Sequence, residues 1–465
     1  MKHYLSVDIG ASSGRLILSH IESGKIILEE IHRFENGMEE KDGHLVWNTE
    51  KIFAQIIKGM KKCGELGKIP ESVGIDTWAV DYVLLDQAGE RIGDTYGYRD
   101  ARTDGMERMV YAVIDEKALY SRTGIQKQPF NTIYQLMATK ENNPDVMEQA
   151  QTMLMIPDYL HYLLCGEKVT EYTNASTTQL LDPKTKNWDW ELIDRLGFKR
   201  DIFCRICLPG ERLGRLTKEV ERAVGFSCEV VVPATHDTGA AVMAVPGSEE
   251  NILYISSGTW SLMGTELNEA ICTEESRRYN FTNEGGYAYR FRYLKNIMGL
   301  WMINSVRKEL APEMSFGALC DMAAKQTIPS IVDVNSERFL APSNMTREVQ
   351  KACEESGQPI PDGIAQIAAV IYNSLAACYA RTIEEIERIT GKQFACIHII
   401  GGGANAEYLN RLTAKTCRRK VLAGPVEATA IGNAVSQMIA TGEFADLKEA
   451  RKCIFDSFRI KEYEG

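Results

Sequence analysis

Val7-Asp8-Ile9-Gly10-Ala11-Ser12-Ser13-Gly14-Arg15 is the segment from which the architecture follows. An apolar run precedes it and Leu16-Ile17-Leu18 follows it. The pattern reads as a strand, a tight Gly/Ser turn and a returning strand. Gly10 and Gly14 lack a Cβ, so a ligand can approach the backbone closely. Ser12 and Ser13 add hydroxyls, and successive N–H groups in such a turn can form an anion-binding concavity. Asp8 sets a carboxylate beside it. An acid next to amide donors suits a metal-bound phosphate chain. Taken alone, the segment equally fits an ordinary small-residue hairpin.

The pattern returns about one domain later. Leu253-Tyr254-Ile255-Ser256-Ser257-Gly258-Thr259-Trp260-Ser261-Leu262-Met263 is again a strand, a Ser/Gly turn and a returning strand. A third cluster, Gly401-Gly402-Gly403-Ala404-Asn405, follows the strand-like Cys396 to Ile400 and opens a helix-like segment reaching about Cys417. Backbone amides collect at such strand-to-helix junctions. Two similar turns in two halves point to a duplicated fold clamping one ligand.

The 465 residues allow two or three domains with large cores. With 44% hydrophobic and 25% charged residues, composition is that of an ordinary globular protein. A net charge of −11 with no long basic run argues against nucleic acid as the main partner. Asp8 interrupts the N-terminus before a signal-peptide core forms. The apolar stretch Ile364 to Tyr379 is short for a bilayer span and reads as a buried or amphipathic helix. Twelve scattered cysteines, with one CxxC at Cys204 to Cys207, read as reduced thiols of a cytoplasmic protein. There is no GxxxxGK[ST] loop, and GASSG lacks the dinucleotide GxGxxG spacing.

Strand-like runs at His3–Ile9, Arg15–His20 and Lys25–Phe34 come first, then a helix from Thr49 to about Cys63. Further strands follow at Ser72–Asp76 and Val80–Leu85. The stretch 104–166 is mainly helical in pattern. Val230 to Thr235 reads as a buried strand feeding a small-residue helix, Gly239 to Val245. Pro246-Gly247-Ser248 marks the expected boundary, giving lobes 1–246 and 247–465. The second lobe ends in helix 364–390, strand 395–400, helix 404–417, strand 420–423 and helix 426–441.

Asp237 is the leading candidate for catalysis. At a strand end near the lobe boundary, its carboxylate can accept a proton from a hydroxyl that attacks phosphorus. The same residue equally fits a helix N-cap. Asp76-Thr77-Trp78-Ala79-Val80-Asp81 offers an aromatic plane and polar groups suited to a sugar, or else a β-turn with a packed tryptophan. Asn280 to Gly286 reads as a plain turn. Asn296 precedes an apolar run, Ile297 to Trp301, that reads as the buried face of a helix. Trp188 and Trp190 read as loop anchors rather than sugar-stacking rings.

As a set, VDIGASSGR, EIHRFENG, GIDTWAVDYVLLD, YRDART, the Pro129–Thr132 stretch, EYTNASTTQL, HDT, YISSGTWSLMG, TNEGG, LKNIMGLW, GGGANAEYLN and EATAIGNA resemble the FGGY carbohydrate kinases. That family is a branch of the actin-like and hexokinase-like ATPases. The motifs run in order from residue 5 to about 435, and within the family they are most similar to kinases of L-rhamnulose. The resemblance implies an α/β fold of two RNase H-like (actin-like ATPase) lobes with a central cleft. It implies transfer of the ATP γ-phosphoryl group to the 1-hydroxyl of L-rhamnulose, with Mg²⁺, by a monomer or small homo-oligomer with no nucleic-acid or membrane partner.

Carried over by position, the resemblance makes Asp237 the proton acceptor. Ala11, Ser12, Ser13, Gly14 and Arg15 form the first phosphate turn, and Thr259, Asn304 and Gly402 are further nucleotide contacts. Ala79, His236, Asp237, Thr238 and Asn296 contact the sugar, and Asp8 is the acid on the metal side. Ala79 stands where the family often has Gly, and Asn304 where it often has Gln. Two alternatives stay open: a non-catalytic actin-like nucleotide-binding protein, and a kinase of a related ketose such as L-fuculose or D-xylulose.

Overall fold

A computed structural model describes residues 1–247, 251–340 and 342–465. Ser248, the last residue of the expected boundary turn, lies outside the described residues. The chain forms two compact units. Unit 1 comprises Met1–Ala244, Leu267–Tyr293 and Thr429–Ser457; unit 2 comprises Val245–Glu266, Leu294–Ala428 and Phe458–Gly465.

Unit 1 is built on strands β1 (Tyr4–Ile9), β2 (Ser13–Glu22), β3 (Lys25–Glu35), β4 (Ser72–Thr77), β5 (Arg212–Arg215) and β6 (Glu229–Val231), in the spatial order β5-β6-β4-β1-β2-β3. The first three are antiparallel neighbours, whereas β1–β4 and β4–β6 are parallel. Every residue of β1 and β4 is buried, as expected for strands covered on both faces. Apolar residues of the helix Thr49–Glu65, among them Ile52, Ile56 and Met60, join Leu5, Val7, Leu16 and Leu18 in the core. The helix Ile156–Cys165 sends His161 to β4, where its Nε2 accepts the Ile75 N–H at 3.0 Å.

Unit 2 repeats this plan. Strands β7 (Leu253–Ser257), β8 (Trp260–Leu267), β9 (Phe291–Met298), β10 (Cys396–Ile400), β11 (Lys420–Ala423) and β12 (Lys461–Tyr463) lie in the order β9-β8-β7-β10-β11-β12. Again a hairpin, β7–β8, is followed by parallel pairs β7–β10 and β10–β11, with an antiparallel edge, β11–β12. The two Ser/Gly segments thus form equivalent hairpins, each at the start of its sheet. The helix Gly363–Thr390 is long and apolar enough to cross a bilayer, but its most apolar window is 61% buried within unit 2. Ile367, Val370, Ile371, Leu375 and Ile383 form its buried stripe.

Three local readings change. Asn296 lies inside β9, and the helix begins only at Trp301; continued ladder pairing overrides the helix-like apolar run. The Asn280–Gly286 segment contains a buried strand, Thr282–Gly285, instead of a plain turn. The helix expected from Ala404 is a short 3₁₀ turn, Gly402–Asn405, and the α-helix starts at Glu407.

Candidate active site

In unit 1 the first turn is closed by the Gly10 N–H donating to the Ser13 carbonyl at 2.9 Å. Ala11, Ser12 and Ser13 sit at its tip, with Ser12 exposed. Arg15 returns along β2, pairs in register with Asp8, and donates to Asp8 Oδ2 from Nε (2.9 Å) and Nη2 (2.8 Å). On the other side of β1, Asp8 is in parallel register with Asp76. Asp76 is fully buried. Its Oδ2 accepts from Asn433 Nδ2 at 2.6 Å, while Oδ1 is buried with no hydrogen-bond partner among the described residues. Burial, and then the charges of Asp8 and Asp237, raise its carboxyl well above the usual range.

Two carboxylates side by side, one with an unmatched buried oxygen, fit a divalent cation that keeps most of its ligands as water and phosphate. No group of three or more metal-ligating side chains occurs among the described residues.

Asn433 also connects this site to the helix Ala428–Ala440. Asn433 Nδ2 donates to the Gly74 carbonyl, Gln437 Nε2 donates to the Leu5 carbonyl (3.0 Å), and Ser6 Oγ donates to the Ala430 carbonyl (3.0 Å). A polar ladder thus fixes the helix on β1 and β4.

The His236–Thr238 run follows β6 and is held from two sides. The Thr77 N–H donates to the Thr235 carbonyl at 2.9 Å. Glu171, fully buried, accepts at Oε2 from the Thr235 N–H (3.0 Å) and hydroxyl (2.8 Å), and Thr173 Oγ1 accepts the His236 N–H at 3.1 Å. The helix Asp237–Met243 starts here. Its N-cap is His236, so Asp237 is the first helical residue and not the cap. The Asp237 carboxylate is about one-third exposed at 34%; among the described residues its Oδ1 accepts from its neighbour Thr238, N–H at 2.5 Å and hydroxyl at 3.1 Å, and lies 3.5 Å from His236 Nε2. Oδ2 is left for another donor. Arg451 closes the other end of this short helix, donating to the Val242 (2.9 Å) and Met243 (3.3 Å) carbonyls, where a cation also opposes the helix dipole.

His236 has its own buried partners. Arg292 Nη2 lies 3.0 Å from His236 Nδ1 and 3.0 Å from Glu284 Oε2, and Nε donates to the Gly285 carbonyl at 2.8 Å. Burial pushes the Glu284 carboxyl up, but the interactions around it, led by the charge of the Arg292 guanidinium, leave it below the usual range. The Gly285 N–H donates to Ser176 Oγ at 2.7 Å, fastening this strand to the 171–178 segment.

Asp81 organises the Ala79 turn. Its Oδ2 accepts from Trp47 Nε1 (2.7 Å), Trp78 Nε1 (2.9 Å) and the Tyr98 N–H (3.1 Å), and Oδ1 accepts from Gln135 Nε2 (2.9 Å). The tryptophan rings lie 4.0 Å apart. Trp78 is only 6% exposed, so its indole packs and anchors instead of offering a free plane to a sugar. The knot holds Val80 in the left-handed region at φ 67°. This is a strained conformation for a β-branched residue, and it leaves Ala79 at the bend.

Trp188 is buried, with Nε1 donating to the Cys204 carbonyl at 2.6 Å. Trp190 lies against Phe203 and Arg200. Both are anchors.

In unit 2 the second turn closes in the same way, with the Gly258 N–H donating to the Trp260 carbonyl at 2.8 Å. Gly258 and Thr259 are exposed at its tip. The helix Trp301–Leu310, which carries Asn304, is docked on this turn. The Leu300 N–H donates to the Gly258 carbonyl (3.1 Å), and the Trp301 N–H to the Thr259 carbonyl (3.0 Å). The third cluster is adjacent: a Cβ on Gly403 would lie 1.9 Å from Ser257 Oγ. Gly402 is exposed beside it. The nucleotide candidates Thr259, Asn304 and Gly402 therefore gather around one corner of unit 2. Asn296 lies on β9, with a buried Oδ1 that has no hydrogen-bond partner.

Glu171, Thr173, Glu284, Arg292 and Asn433 were not singled out from sequence. Each belongs to a quoted motif or its flank, and only the burial of charged and amide groups reveals their role.

The N-terminal domain model of the FGGY family of carbohydrate kinases matches residues 3–244, and the C-terminal domain model matches 253–441. A rhamnulokinase of Halalkalibacterium halodurans is 51% identical, covering 100% of this chain and 99% of its own length. A rhamnulokinase of Bacillus subtilis is 44% identical, covering 99% and 95%. Among solved structures, xylulose kinase from Lactobacillus acidophilus has a TM-score of 0.79 at 17% identity, covering 100% of this chain and 94% of its own. Glycerol kinase from Plasmodium falciparum with ADP has a TM-score of 0.78 at 14% identity, covering 100% and 94%. These structures share the fold of two actin-like ATPase lobes that the repeated sheet implies. With both domain models matched in order and full-length relatives at such identity, the chain belongs to the FGGY family of carbohydrate kinases.

Proposed function

We propose that this enzyme transfers the γ-phosphoryl group of ATP to the 1-hydroxyl of L-rhamnulose, giving L-rhamnulose 1-phosphate and ADP, in L-rhamnose catabolism. The name borne by full-length relatives supports the sugar. The observation that carries the chemistry is Asp237: a carboxylate about one-third exposed that, among the described residues, accepts its hydrogen bonds on Oδ1 and leaves Oδ2 open. It takes the proton as the 1-oxygen attacks phosphorus, so negative charge on the nucleophile develops only as the P–O bond forms. His236, Thr238, Ala79 and Asn296 are the sugar contacts.

Residues 1–246 supply Ala79, His236, Asp237 and Thr238 together with the first phosphate turn, Ala11 to Arg15, and Asn296 comes from residues 247–465. Residues 247–465 supply the nucleotide contacts Thr259, Asn304 and Gly402. Asp8 is the acid for Mg²⁺, which when bound neutralises phosphate charge; Arg15, already paired with Asp8, keeps that carboxylate in one orientation. Twelve free thiols support a cytoplasmic setting.

A substrate panel tests the reading. With ATP and saturating Mg²⁺, kcat/KM is expected to be highest for L-rhamnulose among L-rhamnulose, L-fuculose and D-xylulose. A higher value for another ketose overturns the sugar assignment. ATP hydrolysis indifferent to every sugar overturns the acceptor site.

A further inference from the structure

The sugar-side run His236–Thr238 begins with a histidine whose ring is held by an ion pair that the phosphoryl-transfer chemistry does not itself use. Arg292 is 1% exposed and Glu284 5%, yet neither is part of the metal-side acids or the phosphate turns. A guanidinium has only donors. Its 3.0 Å approach to His236 Nδ1 therefore requires that nitrogen to carry a lone pair, and the ring proton then sits on Nε2. Nε2 is the nitrogen that faces Asp237 Oδ1, at 3.5 Å. Glu284 Oε2 is farther from Nδ1, at 3.4 Å, and is already matched to Arg292 at 3.0 Å.

We propose that Arg292 and Glu284 are positioning residues: Arg292 fixes His236 as the neutral Nε2–H tautomer, and Glu284 cancels the charge that Arg292 brings. The proposal rests on the reading of Asp237 as the proton acceptor. Two consequences follow for that residue. The Nε2–H directs a donor toward Oδ1, where Thr238 also donates, and so turns Oδ2 toward the substrate hydroxyl. A neutral ring also withholds a positive charge from the neighbourhood of the base. An imidazolium at this distance would favour the ionised carboxylate and weaken its hold on the proton it must take. A guanidinium N–H occupies the Nδ1 lone pair, which leaves Nε2 as the nitrogen that carries the ring proton. The arrangement does the work that a buried acceptor does for histidines elsewhere, with a donor in its place.

The test is ¹⁵N NMR of histidine-labelled enzyme, in which the His236 signals are assigned by their loss in His236→Gln. The wild type is expected to show a pyridine-type Nδ1 and a pyrrole-type Nε2 at neutral pH; an Nδ1–H ring or an imidazolium overturns the proposal without any variant. The double variant Arg292→Met/Glu284→Gln removes both charges at similar volume, which avoids stranding one buried ion. It is expected to lose the single tautomer and to drop kcat about 10- to 100-fold, the range seen when the partner orienting a metal-binding histidine is lost, with KM for ATP unchanged. A folded double variant with wild-type kcat and the same tautomer overturns it. Failure of the parent reading is distinguishable: undiminished turnover in Asp237→Asn removes the base, whereas the His236 spectrum is read without sugar or ATP.

Discussion

Gly432→Ala probes how closely Asp237, the proposed base, depends on its supporting helix. A Cβ on Gly432 would lie 1.8 Å from the Ala240 carbonyl oxygen and 2.5 Å from its carbon. An ordinary C···O approach is about 3.3 Å, so the two backbones must separate by about 1.5 Å. Both contacts are backbone, so no rotamer change relieves them. If the Asp237–Met243 helix yields, Asp237 moves with it, being one turn from Ala240. If the Ala428–Ala440 helix yields, the Asn433–Asp76, Ser6–Ala430 and Gln437–Leu5 hydrogen bonds stretch, each worth about 0.5–1.5 kcal/mol.

Either route damages the site. Overpacking of this kind costs about 1–3 kcal/mol, and the intrinsic gain of about 1 kcal/mol for Ala over Gly in a helix offsets only part of it. A displacement of 1 Å at a catalytic group is worth about 10²-fold in rate. The expected outcome is a lower urea midpoint and a kcat reduced about 100-fold, measured by ADP release coupled to L-rhamnulose. Gly317→Ala is the control: Gly317 lies on the exposed side of the helix Phe316–Ala323, nothing lies within 4 Å of the new Cβ, and stability should hold or rise by up to about 1 kcal/mol. A Gly432→Ala enzyme with wild-type midpoint and kcat would refute the claimed backbone contact and its link to Asp237.

Gly403→Ala places a methyl 1.9 Å from Ser257 Oγ and 2.4 Å from its Cβ; KM for ATP should rise about tenfold, equivalent to about 1.4 kcal/mol, with KM for L-rhamnulose unchanged, and an unchanged ATP KM would separate this loop from the nucleotide. Burial raises the Asp81 carboxyl from 3.8 to about 6, with Gln135, Trp47, Trp78 and the Tyr98 N–H pulling it back. Because the folded state binds this proton more tightly than the unfolded chain, the associated stability is full below about pH 4 and is lost as pH rises through about 6. Tryptophan fluorescence, reporting the two indoles bound to Asp81, should titrate with a midpoint near 6, and the transition should vanish in Asp81→Asn; persistence in that variant would assign it to another group.

The two hairpins were legible because their information is local: apolar alternation on either side of Gly/Ser positions specifies strand, turn and strand wherever it occurs. The repeat of that signal at Ser256–Thr259 carried the two-lobe architecture. Asp237 was legible as a candidate, but a favoured cap residue and a catalytic acid look alike in sequence; the placement of the cap at His236 removes the cap reading. Glu284 was hidden in a Thr-Asn-Glu-Gly-Gly run that reads as a turn, and Arg292 lies six residues beyond it, in β9. Charged residues in a strand signal exposure unless their partners are known, and these partners come from residues 8 and 56 positions away. Trp78 failed as a sugar platform for the same reason: the two groups that claim its edge and face, Asp81 and Trp47, are brought to it by tertiary structure. The run after Asn296, Ile297 to Trp301, reads as helix from sequence because a short apolar run fits a strand and a helix equally.

The central claim is that Asp237 deprotonates the 1-hydroxyl of L-rhamnulose for attack on ATP. It is tested most directly by ³¹P NMR of wild-type and Asp237→Asn enzyme with ATP, Mg²⁺ and L-rhamnulose. The account expects one new phosphomonoester per ADP, split into a triplet by the two C1 protons, and formation slowed about 10²–10⁴-fold in the variant. A doublet from a secondary carbon, ADP without a phosphosugar, or equal rates in the two enzymes would contradict it.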